Sequence, residues 1–310
     1  MKINLTNIKK AKNLLNKSEC IAIPTETVYG LAGNAYSDQA CRKIFKLKKR
    51  PKNNPLIVHY YDLKKVKKDC ILNNDFLKLY KKFSPGPITF ILNLKKNSKV
   101  SKIATNKNNT LAVRFPKHPV TRFLLKELEF PIAAPSANIS SRVSAVTSND
   151  VKDDFGKKIK YILEGGRSNI GVESTIIDLR KNPKILRLGG LDINEIRKIL
   201  GKKILININP LKIFAPGQFK THYSPGIPIR LNVKKIKKDE AYLMIRRKKM
   251  NKTNYYFLSK KGNLREAAKN LYSTLRQIKK DKYKSIAVSK IPNKGLGKTI
   301  NDRLLRASKF

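Results

Sequence analysis

Short apolar runs alternate with stretches of helical periodicity through residue 200, and no other feature constrains the fold so tightly. CIAI (20–23), PLIV (55–58), PITFILNL (87–94), TLAVRF (110–115), PIAA (131–134) and STIIDL (174–179) have the length and apolar character of buried strands. Helical periodicity falls around 37–48, 74–82 and 119–128, the last with Pro119 where a first-turn proline is tolerated. The first seventeen residues read as an amphipathic helix rather than a signal peptide, because they lack a continuous apolar core. The pattern predicts an α/β domain built on a mixed, twisted sheet over residues 1–200. Periodicity fails between 201 and 228, where the proline- and glycine-bearing segment 215–228 reads as a linker. AYLMI (241–245), YYFL (255–258), a helix over 262–280 and SIAV (285–288) then predict a smaller Rossmann-like α/β domain over 229–310.

Composition matters mainly for what it excludes. No apolar run reaches the ~18 residues of a membrane span, so no membrane partner is expected. Three widely spaced cysteines without a CxxC pair argue against a disulfide framework or zinc site and fit a reducing cytoplasm. The net charge of +48 comes from 69 Lys and Arg against 21 Asp and Glu. It allows affinity for nucleic acid, since many cations would release counterions on binding phosphate. Because the lysines are scattered over the whole chain, the charge is also what AT-rich codons and solvated faces would produce.

Five segments are polar where a plain core would be apolar. PTETVYGLAGNA (24–35) places hydroxyls and a carboxylate at a strand's end, with Gly30 and Gly33 allowing close backbone approach; a capped turn into a helix is the alternative. In KLKKRPKNNPLIVH (46–59), Lys48, Arg50 and Lys52 alternate before a buried strand, a spacing suited to a polyphosphate as well as to a solvated charge run. Arg114 sits in an apolar strand and predicts a carboxylate or phosphate partner. His118 reads as a helix-entry residue. Ser136, Asn138 and Ser144 follow another buried strand and can donate to phosphate or ribose, although no Walker motif GxxxxGK[ST] occurs. GVESTIID and ILRLGG (171–190) bring Ser174 into a strand and Arg187 out of one.

Taken together, PTETVYGL, the Lys48-x-Arg50 and Ser136-x-Asn138 pairs, GVESTIID and ILRLGG resemble, in order, the threonylcarbamoyl-AMP synthase family. The likeness is to its long form, a YrdC-like catalytic domain with a C-terminal domain. PGQFKTHYSP (216–225) resembles that form's interdomain linker, and LGKTINDRLLRAS (296–308) its C-terminal ending. The resemblance implies a nucleotidyltransferase that condenses L-threonine, bicarbonate and ATP into threonylcarbamoyl-AMP and pyrophosphate. The product would pass to separate machinery that modifies tRNA beside the anticodon. By motif, Thr27, His59, Arg114, Ala134 and Ser174 would line the threonine site. Lys48, Arg50, Asn54, Thr110, Ser136, Asn138, Ser144 and Arg187 would contact ATP, with Lys48 and Arg50 stabilising charge in the reaction. His222 or Tyr223 would close over the nucleotide as part of a lid at 215–225. Mg²⁺ would be held mainly by the ATP phosphates, since no carboxylate cluster is present. Two rival readings are a non-catalytic RNA-binding protein on the same fold, and a carbamoyl-transferring maturation factor, whose zinc modules this chain has no room for.

Overall fold

The computed structural model describes residues 3–208, 221–246 and 253–309. Helix α1 (Leu5–Asn16) buries Ile8, Ala11 and Leu15 and leads into β1 (Ile21–Ile23) and β2 (Gly30–Asn34). Next come α2 (Asp38–Lys48), β3 (Ile57–His59), α3 (Leu63–Asp69), β4 (Cys70–Ile71) and α4 (Asn74–Phe83). The domain continues through β5 (Ile88–Leu94), β6 (Thr110–Arg114), α5 (Pro119–Glu127), β7 (Ile132–Ala133) and α6 (Ser148–Phe155). It closes with β8 (Thr175–Asp178), β9 (Lys184–Arg187), α7 (Ile193–Leu200) and β10 (Leu205–Ile206). Helix ends follow local chemistry. Ser37 accepts from Ala40 N to cap α2, and Lys49 ends that helix in the left-handed region at φ 51°, which turns the chain towards Arg50.

The strands form one mixed sheet in the order β1-β2-β7-β3-β6-β5-β8-β9-β10, with β4 paired to β5. Val58, Phe90, Val113 and Ile177 point into the main core, while Ile57, Ile91, Ala112, Ile176 and Leu186 form a smaller apolar strip on the opposite face. The expected strands are all present, though β7 keeps only two residues of PIAA. One segment differs from expectation. Residues 30–34 are neither turn nor helix but β2, antiparallel to β1. Its glycines serve packing: a Cβ on Gly30 would lie 3.2 Å from Ala134 Cβ, and one on Gly33 3.2 Å from Ile44 Cδ1.

A second sheet, order β11-β14-β12-β13, is parallel throughout. It comprises β11 (Ile229–Arg230), β12 (Glu240–Arg246), β13 (Tyr255–Ser259) and β14 (Ser285–Val288), with α8 (Leu264–Lys280) and α9 (Leu296–Ala307). Ala268, Leu271, Leu275 and Ile278 form the buried face of α8, each leucine worth about 1.5–3 kcal/mol of burial. The two helices dock this unit on the first. Arg276 donates to Asp154 Oδ2 and Val143 O at 2.7 and 2.6 Å, Thr299 donates to Gly189 O at 3.0 Å, and Arg167 donates to Ser273 Oγ at 2.7 Å. Gly171, at φ +77°, lies so close to α8 that a Cβ there would stand 2.4 Å from Lys269 O.

Candidate active site

Arg114 ends β6, and the register sets it between His59 of β3 and Thr89 of β5. Its Nη2 donates to Glu26 Oε1 at 2.8 Å, and Glu26 Oε2 accepts from Lys117 N at 2.9 Å; both side chains are buried. The anionic partner that the sequence predicts for Arg114 is therefore supplied first by the protein itself. Arg114 Nε, however, is buried and makes no hydrogen bond among the described residues. An unmet buried donor costs roughly 1–3 kcal/mol, so this atom favours an incoming carboxylate. Burial, and then the charge of Arg114, hold the His59 pKa well below its ordinary 6.5. The backbone of Ile132 lies close enough to oppose this slightly, yet neither ring nitrogen makes a hydrogen bond of normal geometry among the described residues. His59 is a neutral ring with unused polar edges.

A second pair of cations lines the same cleft. Arg50 donates to Asn54 Oδ1 and O and to Pro55 O at 2.5, 3.0 and 2.9 Å, which fixes its guanidinium plane. Arg187 donates to Ser174 O and Oγ at 2.9 and 3.0 Å, and Ser174 Oγ also meets Thr89 Oγ1 at 2.7 Å. Burial foremost, then the proximity of Arg187, lowers the Arg50 pKa. Two crowded, buried guanidiniums favour a polyanion between them.

Glu173 forms the back wall. Its carboxylate accepts from Ser144 Oγ at 2.6 Å, Tyr272 OH at 2.9 Å and Arg303 Nε at 2.9 Å. Burial pushes its pKa up, but Arg303, Arg187 and the Ser144 hydrogen bond together outweigh that and bring it down to about 2. Arg303 also lies over the Tyr223 ring at 4.7 Å, and Tyr223 stacks on Tyr272 at 5.9 Å. Residues of the second domain therefore hold His222 and Tyr223 over the cleft. Burial lowers the His222 pKa to about 3, with Arg50, Lys48 and Arg303 adding to the shift against Glu173.

The cleft encloses about 500 Å³ counting its mouth, within the ordinary range for small-molecule sites. Of the residues singled out from sequence, Arg50, His59, Arg114, Ala134, Ser136, Arg187, His222 and Tyr223 line it. Others stand just behind. Thr27 Oγ1 meets Thr25 Oγ1 at 2.9 Å, and Thr25 rather than Thr27 faces the cleft. Asn54 and Ser174 brace the two arginines, Ser144 is spent on Glu173, and Asn138 donates to Ile139 O and Arg142 O. Lys48 departs most from expectation. Its ammonium is buried and donates to Ser136 O and Asn138 O, both at 2.5 Å, so it anchors the underside of the 136–140 loop instead of facing the cleft. Thr110 begins β6, four residues and thus roughly 13 Å from Arg114, and is not part of the lining. Residues 215–220 of the expected lid lie outside the described residues. The sequence offered Glu26 only as a strand-end carboxylate and gave Glu173, Tyr272 and Arg303 no role. The one available signal was an acid inside the apolar GVESTIID.

Residues 13–189 match the Sua5–YciO–YrdC family model, described as telomere recombination, and residues 191–309 match the model of the threonylcarbamoyl-AMP synthase C-terminal domain. The chain is 34% identical to the threonylcarbamoyl-AMP synthase of Pyrococcus abyssi, over 98% of this chain and 94% of that protein. The chain belongs to the threonylcarbamoyl-AMP synthase family. The Bacillus subtilis synthase is likewise 34% identical over 98% of this chain and 94% of its own length. Among solved structures, P. abyssi Sua5 complexed with L-threonine superposes with a TM-score of 0.91 at 32% identity, covering 100% of this chain and 96% of that one. Family membership makes the chain an enzyme of nucleotidyltransferase type.

Proposed function

We propose that the cleft forms threonylcarbamoyl-AMP and pyrophosphate from L-threonine, bicarbonate and ATP. One observation carries the reading: a single buried cleft joins a carboxylate-seeking arginine beside a neutral histidine to a separate pair of crowded arginines. A small amino acid suits the first cluster and a triphosphate the second. The solved relative complexed with L-threonine supports the threonine half.

In this scheme Arg114 Nε takes the threonine carboxylate, and the Thr25 hydroxyl, which lines the cleft, discriminates a substrate hydroxyl from a methyl group. The threonine amine adds to bicarbonate with loss of water to give a carbamate. A carbamate oxygen then attacks the α-phosphorus; the bond to the β-phosphate oxygen breaks and pyrophosphate leaves. Negative charge grows on the phosphoryl oxygens, where Arg50 and Arg187 are already oriented. Lys48 acts one step removed, by holding the Ser136 loop. The carbamate is labile in water, and His222 and Tyr223 cover it with neutral groups, burial having raised the Tyr223 hydroxyl to about 12. Glu26 and Glu173 are both committed to protein donors, so they fit a protein-held metal poorly. Mg²⁺ enters as the ATP salt. The adenylate would be consumed by an acyl-type transfer to a tRNA nucleophile on separate machinery.

The test is pyrophosphate release with threonine, bicarbonate and ATP, each omitted in turn. Release should need all three, and ATP consumption that ignores threonine would refute the proposal.

A further inference from the structure

We infer that Ile57 is a specificity-determining residue: it takes the methyl group of the amino-acid substrate and makes the cleft read the configuration at the substrate's Cβ. The inference rests on the threonine half of the proposed function and deepens it. Strands β3 and β6 are parallel and in register, with Ile57 opposite Ala112 and His59 opposite Arg114. Two-residue alternation places all four on one face of the sheet. They make two rows about 7 Å apart along the strands, the His59–Arg114 row polar and the Ile57–Ala112 row apolar. Ile57 lines the cleft together with His59 and Arg114. Ala134 extends the apolar row, since its N donates to Ile57 O at 2.8 Å and it too lines the cleft.

This wall is fixed and offers no side-chain hydrogen bond. Ile57 and Ala112 belong to an apolar strip with Ile91, Ile176 and Leu186, all buried, and of the five only Ile57 reaches the lining. A β-branched side chain is stiff at χ1, and three large aliphatic residues back this one. Ala134 is set as firmly, because a Cβ on the neighbouring Gly30 would stand only 3.2 Å from its own. A substrate methyl laid on Ile57 leaves water for an apolar neighbour. A hydroxyl laid there is buried without a partner, which costs more than the methyl gains.

The polar groups of the lining stand elsewhere. His59 has two ring nitrogens without hydrogen bonds among the described residues. Thr25 belongs to the segment that crosses these strand ends and brings Glu26 to Arg114 at 2.8 Å. With the carboxylate on Arg114 Nε and the amine turned to bicarbonate, Cβ has one position, and its two heavy substituents face different walls. L-Threonine then lays its methyl on Ile57 and gives its hydroxyl to the polar side. L-allo-Threonine exchanges the two and buries its hydroxyl against Ile57. L-Serine leaves the apolar wall uncovered. Configuration at Cβ is thus read largely by one strand, through residues two positions apart.

The test compares L-threonine, L-serine and L-allo-threonine on the full chain, Ile57→Val and Ile57→Thr. Calorimetry measures binding of each amino acid, and pyrophosphate release gives kcat/KM. The full chain should bind serine roughly 10-fold more weakly than threonine, and allo-threonine roughly 100-fold more weakly. Ile57→Val and Ile57→Thr have nearly the same shape, but only the second puts a hydroxyl on the wall. The preference for threonine over allo-threonine should therefore fall roughly 10-fold further in Ile57→Thr than in Ile57→Val. Each readout is a ratio of two ligands on one protein, so a partly unfolded variant does not distort it. Serine and allo-threonine bound by the full chain within about 2-fold of threonine would overturn the inference. So would a preference that is the same in all three proteins. Selective threonine binding without threonine-dependent pyrophosphate release would refute the proposed reaction while upholding the role of Ile57, and a chain that binds none of the three would overturn both.

Discussion

Replacing Arg114 by alanine separates what the fold needs from what the substrate needs. The change leaves the buried Glu26 carboxylate with only the Lys117 amide. Breaking a buried pair from one side typically costs about 3–5 kcal/mol, a large part of the about 5–15 kcal/mol that holds a domain together. Lost activity in the single variant would therefore say little. The informative design is a cycle that adds Glu26→Gln, which keeps the shape of the acid and removes its charge. Unfolding in urea should show much of the stability restored in Glu26→Gln/Arg114→Ala. Threonine affinity by calorimetry should not recover, because the donor is still missing. Charge-assisted hydrogen bonds contribute about 1.5–3 kcal/mol, so the threonine Kd should rise roughly 10- to 150-fold while ATP binding changes little. If threonine affinity returned with stability, or if ATP affinity fell equally, Arg114 would be a structural cation and nothing more.

Two further outcomes are expected. Gly171→Ala combines a left-handed φ with a Cβ 2.4 Å from backbone of α8, so it should lower the melting temperature and speed proteolysis between the domains at a cost of about 1–3 kcal/mol; unchanged melting would refute the tight docking. His59 and His222 both have folded-state pKa values below 6.5, His222 at about 3. Between pH 6.5 and those lower values the unfolded chain binds protons that the folded chain does not. Stability should thus fall as pH drops from 7 to 5, by up to about 1.4 kcal/mol per pH unit for each histidine. Urea midpoints should show a shallower fall in His222→Asn, and a flat profile in the wild type would contradict the burial of these rings.

The parts of this architecture that could be read from sequence are those whose cause is local. An apolar run such as PITFILNL becomes β5 wherever it is buried, and the apolar stripe of 262–280 becomes α8 because its period matches a helix. β2 escaped because its two glycines carry no strand signal; their purpose is the space they leave for Ala134 and Ile44. In the site, Arg50, Arg114 and Arg187 stood out as cations next to buried strands. Lys48 carried the same signal and turned inward, since two carbonyls of the 136–140 loop happen to lie within reach. The pairings Glu26–Arg114 and Glu173–Arg303 join residues 88 and 130 positions apart, and no local pattern encodes such a distance.

The bond between Glu173 and Arg303 also has a consequence in time. A chain emerging from the ribosome presents Glu173 long before Arg303 and Tyr272 exist. At about 5–20 residues per second, 130 residues take roughly 6–26 s. During that interval the first sheet can form, but its buried acid lacks two of its three donors and nothing pins Tyr223 above the cleft. The order of synthesis thus delays the arrangement of Tyr223 over the cleft until the second domain has arrived.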